Sequence, residues 1–520
     1  MAYASYVNKH KTNSKPSGQK QRKVVRQSYT PISDALSQPN TLADNEFAEG
    51  FARFGLKGLL ARCMNKDRRS DGVELSQIMM TLLVWPLLES PSIHCFCNEL
   101  CQYIRLGSKI VKRPAGVIYD FWKREDINWR KLACVVSGKV ASKVDLGDAG
   151  RRAFVIDDSI KERRGKKVEG SSRHYDHNSG RSIQGHQVLE LGIAGERGFI
   201  PIDRQIFTGE SHPVEKAPEK GFQDNRSAAA RDMKRAREED KNQMLGRMIK
   251  GALKAGHKAS YLLGDAWFGI KDNIALAIDN GLKAIFQMKR GKLTYRVGRK
   301  DYTATQLHAL HERKMKGTTR KSRYKTARIK ARINLQTSPG AEPRWQSVVL
   351  VLSAPNDGSH NRWVIFLSTD LDVSAEDILE IYALRWSIEV YFKEVKQNFG
   401  LLAEQSGKYQ VAYASVHLAA VRYLLIFEAM QRNGSLSFGE ERDLQSGKLL
   451  AMSYASLLWG LFRSIITGVF DQLEAEMGKA TIEKLTNAID GAVESFLNEA
   501  FHMTPSHMEG LQRAEASGII

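Results

Sequence analysis

Apolar and polar positions change their spacing several times along the chain, and each change predicts a change of structure. From about residue 40 to 140 the apolar positions recur at helical spacing, around Leu75–Leu88 and then through GVIYDFWKREDINWRKLACVVSGKV. At residue 151 the period shortens. RRAFVIDDS reads as a strand closed by acids, and QGHQVLELGIA and GFIPIDRQIF as two more strands joined at a glycine-rich turn. Residues 225–256 predict one long charged helix that stops at a glycine. The strand ASYLLGD, the helix KDNIALAIDNGL and the strand KAIFQMK follow, which makes an α/β sheet layer. Residues 291–362 carry short strand-like pieces (KLTYRVG, ARIKARINL, QSVVLVLS) around a basic block, and predict a mostly β insertion. The sheet scheme resumes at RWVIFLSTD and in a helix opened by Ser374, which with Asp377 fits a capping box. Beyond residue 400 the pattern is helical to the end.

Composition narrows the partners. A net charge of +20 and a pI near 9.6 point to a polyanion, most often nucleic acid. Apolar residues make up 42% of the chain, enough for a globular fold, and the length predicts about three domains. SLLWGLFRSIITGVF is broken by Arg463 and IMMTLLVWPLL stops at Pro86, so no apolar run is expected to span a membrane. The first residues lack the apolar core of a secretion signal, and a cytoplasmic location is expected. Residues 1–30 are basic without a single acid, a disordered arm that either solubilises the chain or touches DNA. Basic residues Arg113, Lys123, Arg124, Arg130 and Lys131 interleave with Tyr119, Phe121, Trp122 and Trp129. They suit a DNA backbone or a solvated face over an aromatic core, and the overall charge favours DNA. Cys95, Cys97 and Cys101 beside His94 lack a second ligand pair and are expected to be buried thiols rather than zinc ligands. His308 and His311 are expected on a helix surface, and His212 with Glu215 in a proline-rich loop.

The stretch YALRWSIEVYFKEVK, residues 382–396, concentrates the chemistry. Read as one helix, it places Tyr382, Arg385, Glu389, Lys393 and Lys396 within roughly 80° of arc, apart from the apolar stripe Leu384, Ile388 and Val395. Asp157 follows the strand FVI and Asp265 follows the strand YLLG. Carboxylates at the ends of neighbouring strands project where α/β sheets bind ligands. With Glu389 they can converge on one or two Mg²⁺ ions, which prefer oxygen ligands. The cations on the helix face would then grip phosphates. Asp157 and Asp158 leave opposite faces of an extended strand, so either can be the first acid.

Tyr382, Arg385, Glu389 and Lys396 fulfil Y-x2-R-x3-E-x6-K, which is similar to the signature of bacterial insertion-sequence transposases of the DDE class, the insertion-sequence-four family. FVIDDS resembles that family's first catalytic Asp and favours Asp157, with Ser159 in the third place; LLGDAWFG resembles the second. YDFWKREDINWRKL, DDSIKERRGKKVEG and RHYDHNSGRSIQGHQ look like the same family, and the resemblance covers roughly residues 110–430. It implies an α/β fold with an RNase H-like mixed-sheet core in residues 151–290 and 363–400, interrupted by the β insertion 291–362. The helical flanks would be a DNA-binding domain, 31–150, and a C-terminal domain, 401–520, for dimerisation. The implied activity is Mg²⁺-dependent cutting at transposon ends and strand transfer to target DNA, with two ions and Mn²⁺ able to substitute. The implied setting is a homodimer on double-stranded DNA, at the bacterial nucleoid. Arg385, Lys396 and Tyr382 match DNA-contacting positions, Lys393 joins them by its place on the helix, and Trp363 matches a Trp that stacks on a flipped base. Trp386 is expected under the active site. The competing readings are a nuclease or resolvase without strand transfer, and a non-catalytic DNA-binding protein.

Overall fold

The computed structural model describes residues 53–64, 75–87 and 92–96, most of 114–434 and 437–442, and most of 466–501. The basic arm, Arg113, Cys97, Cys101, His212 and Glu215 lie outside the described residues. The chain divides into two compact units. The smaller holds Met1–Arg62, Lys66–Trp122 and Leu425–Ile520. Its helices α1 (Leu56–Arg62), α2 (Leu75–Val84) and α3 (Pro114–Trp122) bury apolar residues, and Trp85 meets Trp122 edge-on at 6.3 Å.

The larger unit, Cys63–Asn65 with Lys123–Leu424, is a mixed α/β body around one large mixed sheet. After α4 (Trp129–Ala141) the chain runs through β1 (Ala153–Glu162), β2 (Ser172–Asp176), β3 (Arg181–Gly195) and β4 (Gly198–Phe207). β1 and β3 pair antiparallel, and β2 and β4 share the outer edge of β3. Helices α5 (Ala228–Glu238) and α6 (Lys241–Lys254) lead to β5 (Tyr261–Gly264), and α7 (Lys271–Asp279) to β6 (Lys283–Met288). β5 lies parallel to β1, and β6 parallel to β5. These inner strands read as unbroken apolar runs because both faces are covered; all four residues of β5 are buried.

The insertion is not a separate layer. It comprises β7 (Thr294–Val297), β8 (Lys300–Thr303), helix α8 (Ala304–His311), β9 (Tyr324–Asn334) and β10 (Trp345–Pro355). Through β11 (Val364–Ser368), antiparallel to β6, these strands prolong the same sheet in the order β6-β11-β10-β9-β7-β8. The short strands β2 and β8 have no strong apolar period and were not among the elements expected from the sequence, whereas α8 is the helix expected to carry His308 and His311.

Two expected helices are broken. The stretch 225–256 is α5 and α6, separated at Glu239, whose backbone is extended. Asp240 starts the second helix: its carboxylate accepts from the N–H groups of Asn242 and Gln243, and the Gln243 side chain accepts back from Asp240 N–H at 2.9 Å. Gly256, at φ +87°, follows the C-cap of α6, the left-handed position that favours glycine. The stretch 382–396 is divided between α9 (Ala375–Ala383) and α10 (Trp386–Gln397). Arg385, Ser387 and Ile388 donate backbone N–H bonds to the third residue back rather than the fourth, which tightens the chain between the two helices. Tyr382 and Glu389 therefore do not share one helix. The buried stripe of α10 is Ile388, Tyr391, Phe392 and Val395, while Leu384 is half-exposed. The Ser374 hydroxyl caps α9 by accepting from Asp377 N–H at 3.0 Å.

The expectation about apolar length also needs correction. Helix α11 (Tyr409–Asn433) is long and apolar enough to cross a membrane, yet its most apolar stretch is wholly buried inside the protein. Arg422 within it donates to the Phe399 carbonyl at 2.8 Å.

Candidate active site

Sheet register places the first two acids. β1 and β5 pair as far as Val155 opposite Leu263, and Asp157 and Asp265 each stand two residues beyond that pair. Continued by two residues, the register sets them side by side on adjacent parallel strands, about 4.8 Å apart in the pairing direction. Gly264, just before Asp265, has no space for a side chain: a Cβ there would lie 2.9 Å from Phe268 and 3.0 Å from Phe286. The Asp265 carboxylate accepts from the N–H groups of Trp267 at 2.9 Å and Phe268 at 3.3 Å, which turns the chain after β5.

Strand alternation sorts the two neighbouring aspartates. Asp157 shares its face with Glu190, its partner across β3, and with Arg204 beyond it on β4. On this face α10 covers the sheet. Arg385 donates from Nη1 to Asp157 Oδ2 at 3.0 Å and from Nη2 to Glu389 Oε1. Lys396 donates to the Ser159 hydroxyl at 2.6 Å. Asp158 points the other way, where Lys241 of α6 donates to Oδ2 and Gln187 to Oδ1, each at 2.6 Å. Lys241 also sits over the rings of Trp267, at 4.8 Å, and Phe207, at 5.2 Å. Both Asp158 oxygens are thus taken, and Asp157 is the aspartate that faces Arg385 and Glu389.

Electrostatics separate the groups further. Burial pushes the Asp157 carboxyl up to about 7, against the pull of Arg385, and the charges of Asp158 and Asp265 add to the rise. Burial works against the Arg385 charge, but Tyr382, Glu389 and Asp157 together hold its pKa above the usual value. Lys396 is lowered by burial and then by Lys161. Burial likewise raises the Tyr382 phenol, whose O–H donates to Gln287 Oε1 at 3.5 Å. Behind the site a buried triad anchors α10. Tyr391 donates to Glu190 at 3.1 Å, and Arg204 pairs with the same carboxylate at 3.1 Å.

The structure brings together Asp157, Asp265, Arg385 and Tyr382, with Glu389 joined to them through Arg385 and Lys396 one step along β1. Lys393 is exposed on α10. Trp386 does not pack beneath the acids; it is 46% exposed. The ring of Trp363 is covered in this structure. The residue is 6% exposed, with His308 stacked on its ring at 4.3 Å and the Arg290 guanidinium 4.3 Å from its centroid. His308 correspondingly leaves the helix surface expected for it and is 8% exposed. Of the residues before the core the aromatics are mostly internal, while Lys123 and Lys131 are exposed. Trp122 and Trp129 are fully buried, and Arg124 and Arg130 pair with Asp126 and Asp203. Lys241 and Gln187 were not found from the sequence. Lys241 follows a recognisable N-cap, but nothing in the sequence links it to a strand so far away.

The donor set suits a hard divalent cation: oxygen ligands only, and a carboxyl whose pKa is raised first by burial and then by its negative neighbours Asp158 and Asp265. Asp157 and Glu389 are both held by Arg385, while Asp265 is held by backbone N–H groups of the turn that follows it. Among the described residues no three potential ligands are already clustered. A ternary carboxylate site therefore requires Glu389 to leave the guanidinium.

Residues 110–349 match a family model described as DDE superfamily endonuclease. The match takes in Asp157 and Asp265 and ends before Glu389. No curated protein matches the chain. The family match supports an enzyme of nuclease or transposase type that acts on DNA. Endonuclease domains of this kind generally use divalent metal ions.

Proposed function

We propose that this protein is a transposase of the insertion-sequence-four type with an RNase H-like core, which cuts the ends of its element and joins them to target DNA. The observation that carries this reading is the parallel register of β1 and β5, which continued by two residues sets Asp157 beside Asp265, with Glu389 joined to Asp157 through Arg385. Asp157, Asp265 and Glu389 would hold Mg²⁺, as a pair of ions, or Mn²⁺ in its place. Bound there, the metal would supply Lewis-acid activation of the scissile phosphate and the attacking hydroxyl.

The chain's own groups do the rest. Asp157 is kept from bulk water, so its charge has most effect once deprotonated. Arg385 and Lys396 project on the Asp157 side of the sheet and would receive phosphate oxygens, with Tyr382 alongside and exposed Lys393 farther out. Release of Arg385 from Glu389 onto a phosphate would free that carboxylate for metal, so substrate binding and site assembly would be one event. Residues 31–150 would contact the element ends, and residues 401–520 would join two copies in the bacterial cytoplasm, since transposition requires both ends to be held together. The excess of positive charge supports DNA as the partner throughout.

The test is joining of a labelled element end to plasmid DNA in Mg²⁺. A transposase gives joined product that disappears on Asp157→Asn. Cutting without joining would leave a nuclease, and binding without either would leave a DNA-binding protein.

A further inference from the structure

On the sheet face opposite Asp157 lies a second concavity, formed by α4, α5, α6 and β4. Asp203 locates it: this residue precedes Arg204, which shares the Asp157 face, so its side chain leaves the other side. The cavity measures about 450 Å³, within the range of roughly 300–1,000 Å³ typical of small-molecule sites. Four arginines and a lysine line it, against two aspartates.

The arginines are not equally satisfied. Arg130 is committed to Asp203, and Arg247 pairs with Glu239 at 2.7 Å. Among the described residues, Arg231 and Arg235 on α5 have no side-chain hydrogen bond or ion pair. Burial lowers the pKa of half-buried Arg235, and the charges of Arg130 and Arg247 lower it further, which Asp232 and Glu239 offset only in part: the wall keeps an excess of positive charge. Three buried polar atoms of the lining also lack a partner: Arg247 Nη1, His257 Nε2 and Asp232 Oδ1. Asp232 and His257 are 3% and 6% exposed, so these polar atoms have hydrogen-bonding capacity that the protein itself leaves unused. Ala228, Ala252 and Ala255 supply apolar wall between them.

We propose that this cavity binds a small phosphorylated molecule of mononucleotide size, with its phosphate between Arg231, Arg235 and the free Nη1 of Arg247. Guanidinium forks match phosphate oxygens in pairs, which accounts for arginine rather than lysine at these positions. The alanine wall receives the organic part, and Asp232 Oδ1 and His257 Nε2 meet its polar groups. A duplex backbone is disfavoured, because it cannot reach atoms this deeply buried. This site is separate from the three carboxylates, and it stands whether or not the protein transfers strands.

Calorimetric titration of the full chain with pyrophosphate, with a nucleoside 5′-monophosphate and with the uncharged nucleoside tests it. The expected result is one saturable site for at least one phosphorylated probe and none for the nucleoside. Arg231→Gln with Arg235→Gln should weaken that site at least tenfold, and Arg235→Lys less. Arg231→Gln alone, at an exposed position that does not threaten folding, should weaken it severalfold. Absence of saturable binding, or equal binding by the double variant, overturns the proposal. Loss of DNA footprint in the double variant without any small-ligand site also overturns it, and assigns the arginines to the DNA backbone.

Discussion

One guanidinium ties β1 to α10: Arg385 reaches Asp157 Oδ2 at 3.0 Å while its other amino group holds Glu389. It occupies the position a bound cation would need in order to use both carboxylates. Arg385→Gln should therefore lower stability in metal-free buffer by about 1 kcal/mol, since both carboxylates it leaves are only partly buried and water reaches them. Millimolar Mg²⁺ should raise the melting temperature of the variant more than that of the parent, because the carboxylates no longer have a competing partner. Equal Mg²⁺-induced shifts in the two proteins would show that cation and guanidinium do not compete.

The adjacent aspartates should separate cleanly on mutation. Asp157→Asn removes a buried charge that the fold disfavours, so the protein should remain folded and bind DNA while losing strand cleavage. Asp158→Asn weakens the contacts with Lys241 and Gln187 and should cost about 1–3 kcal/mol, with cleavage retained at temperatures where the variant is folded. Melting curves and a cleavage assay on both variants decide this. Cleavage lost only on Asp158→Asn would reverse the assignment of the first acid.

The sequence made parts of this site legible because they depend on local pattern. The buried run before Asp157, the run before Asp265 and the helical period around Ile388 all appear as spacing. What it did not reveal was set by partners distant in the chain. Tyr382 and Glu389 appear to share a face under an unbroken helical period, and the turn between α9 and α10 follows neither proline nor glycine. Lys241 finds Asp158 across 83 residues, a relation that depends on α6 beginning at Asp240. The insertion is legible as strands, but not as an extension of the catalytic sheet, because strand order is decided by pairing rather than by period.

Trp363 illustrates how a residue type can suggest a role that packing withdraws. Its ring is in contact with both His308 and Arg290, and the Arg290 guanidinium also donates to the Trp363 carbonyl. Trp363→Ala should cost about 3–5 kcal/mol, as for a large aromatic removed from a core. The loss should appear in thermal or denaturant unfolding without DNA. A variant as stable as the parent, but weaker on DNA ends, would return this tryptophan to base recognition.

Acid should weaken the larger unit through His186. This histidine is 1% exposed on β3, and its Nε2 donates to the Glu169 carbonyl at 3.0 Å while Nδ1 has no partner. Burial, with Arg163 and His174 adding to it, pushes its pKa down to about 4 from an ordinary 6.5. The unfolded chain therefore takes up the proton first as pH falls. The neutral ring's contribution is complete above pH 6.5 and declines towards pH 4, by about 3 kcal/mol over that interval. Glu190, raised to about 7 by burial, titrates in the opposite sense, so the stability of the whole protein does not isolate the histidine. The comparison with His186→Gln does, since glutamine keeps a donor for Glu169 and cannot charge. The gap in unfolding free energy between parent and variant should narrow or reverse as pH drops from 6.5 to 4. A constant gap across that range would mean that His186 charges as readily in the folded protein as in the unfolded chain.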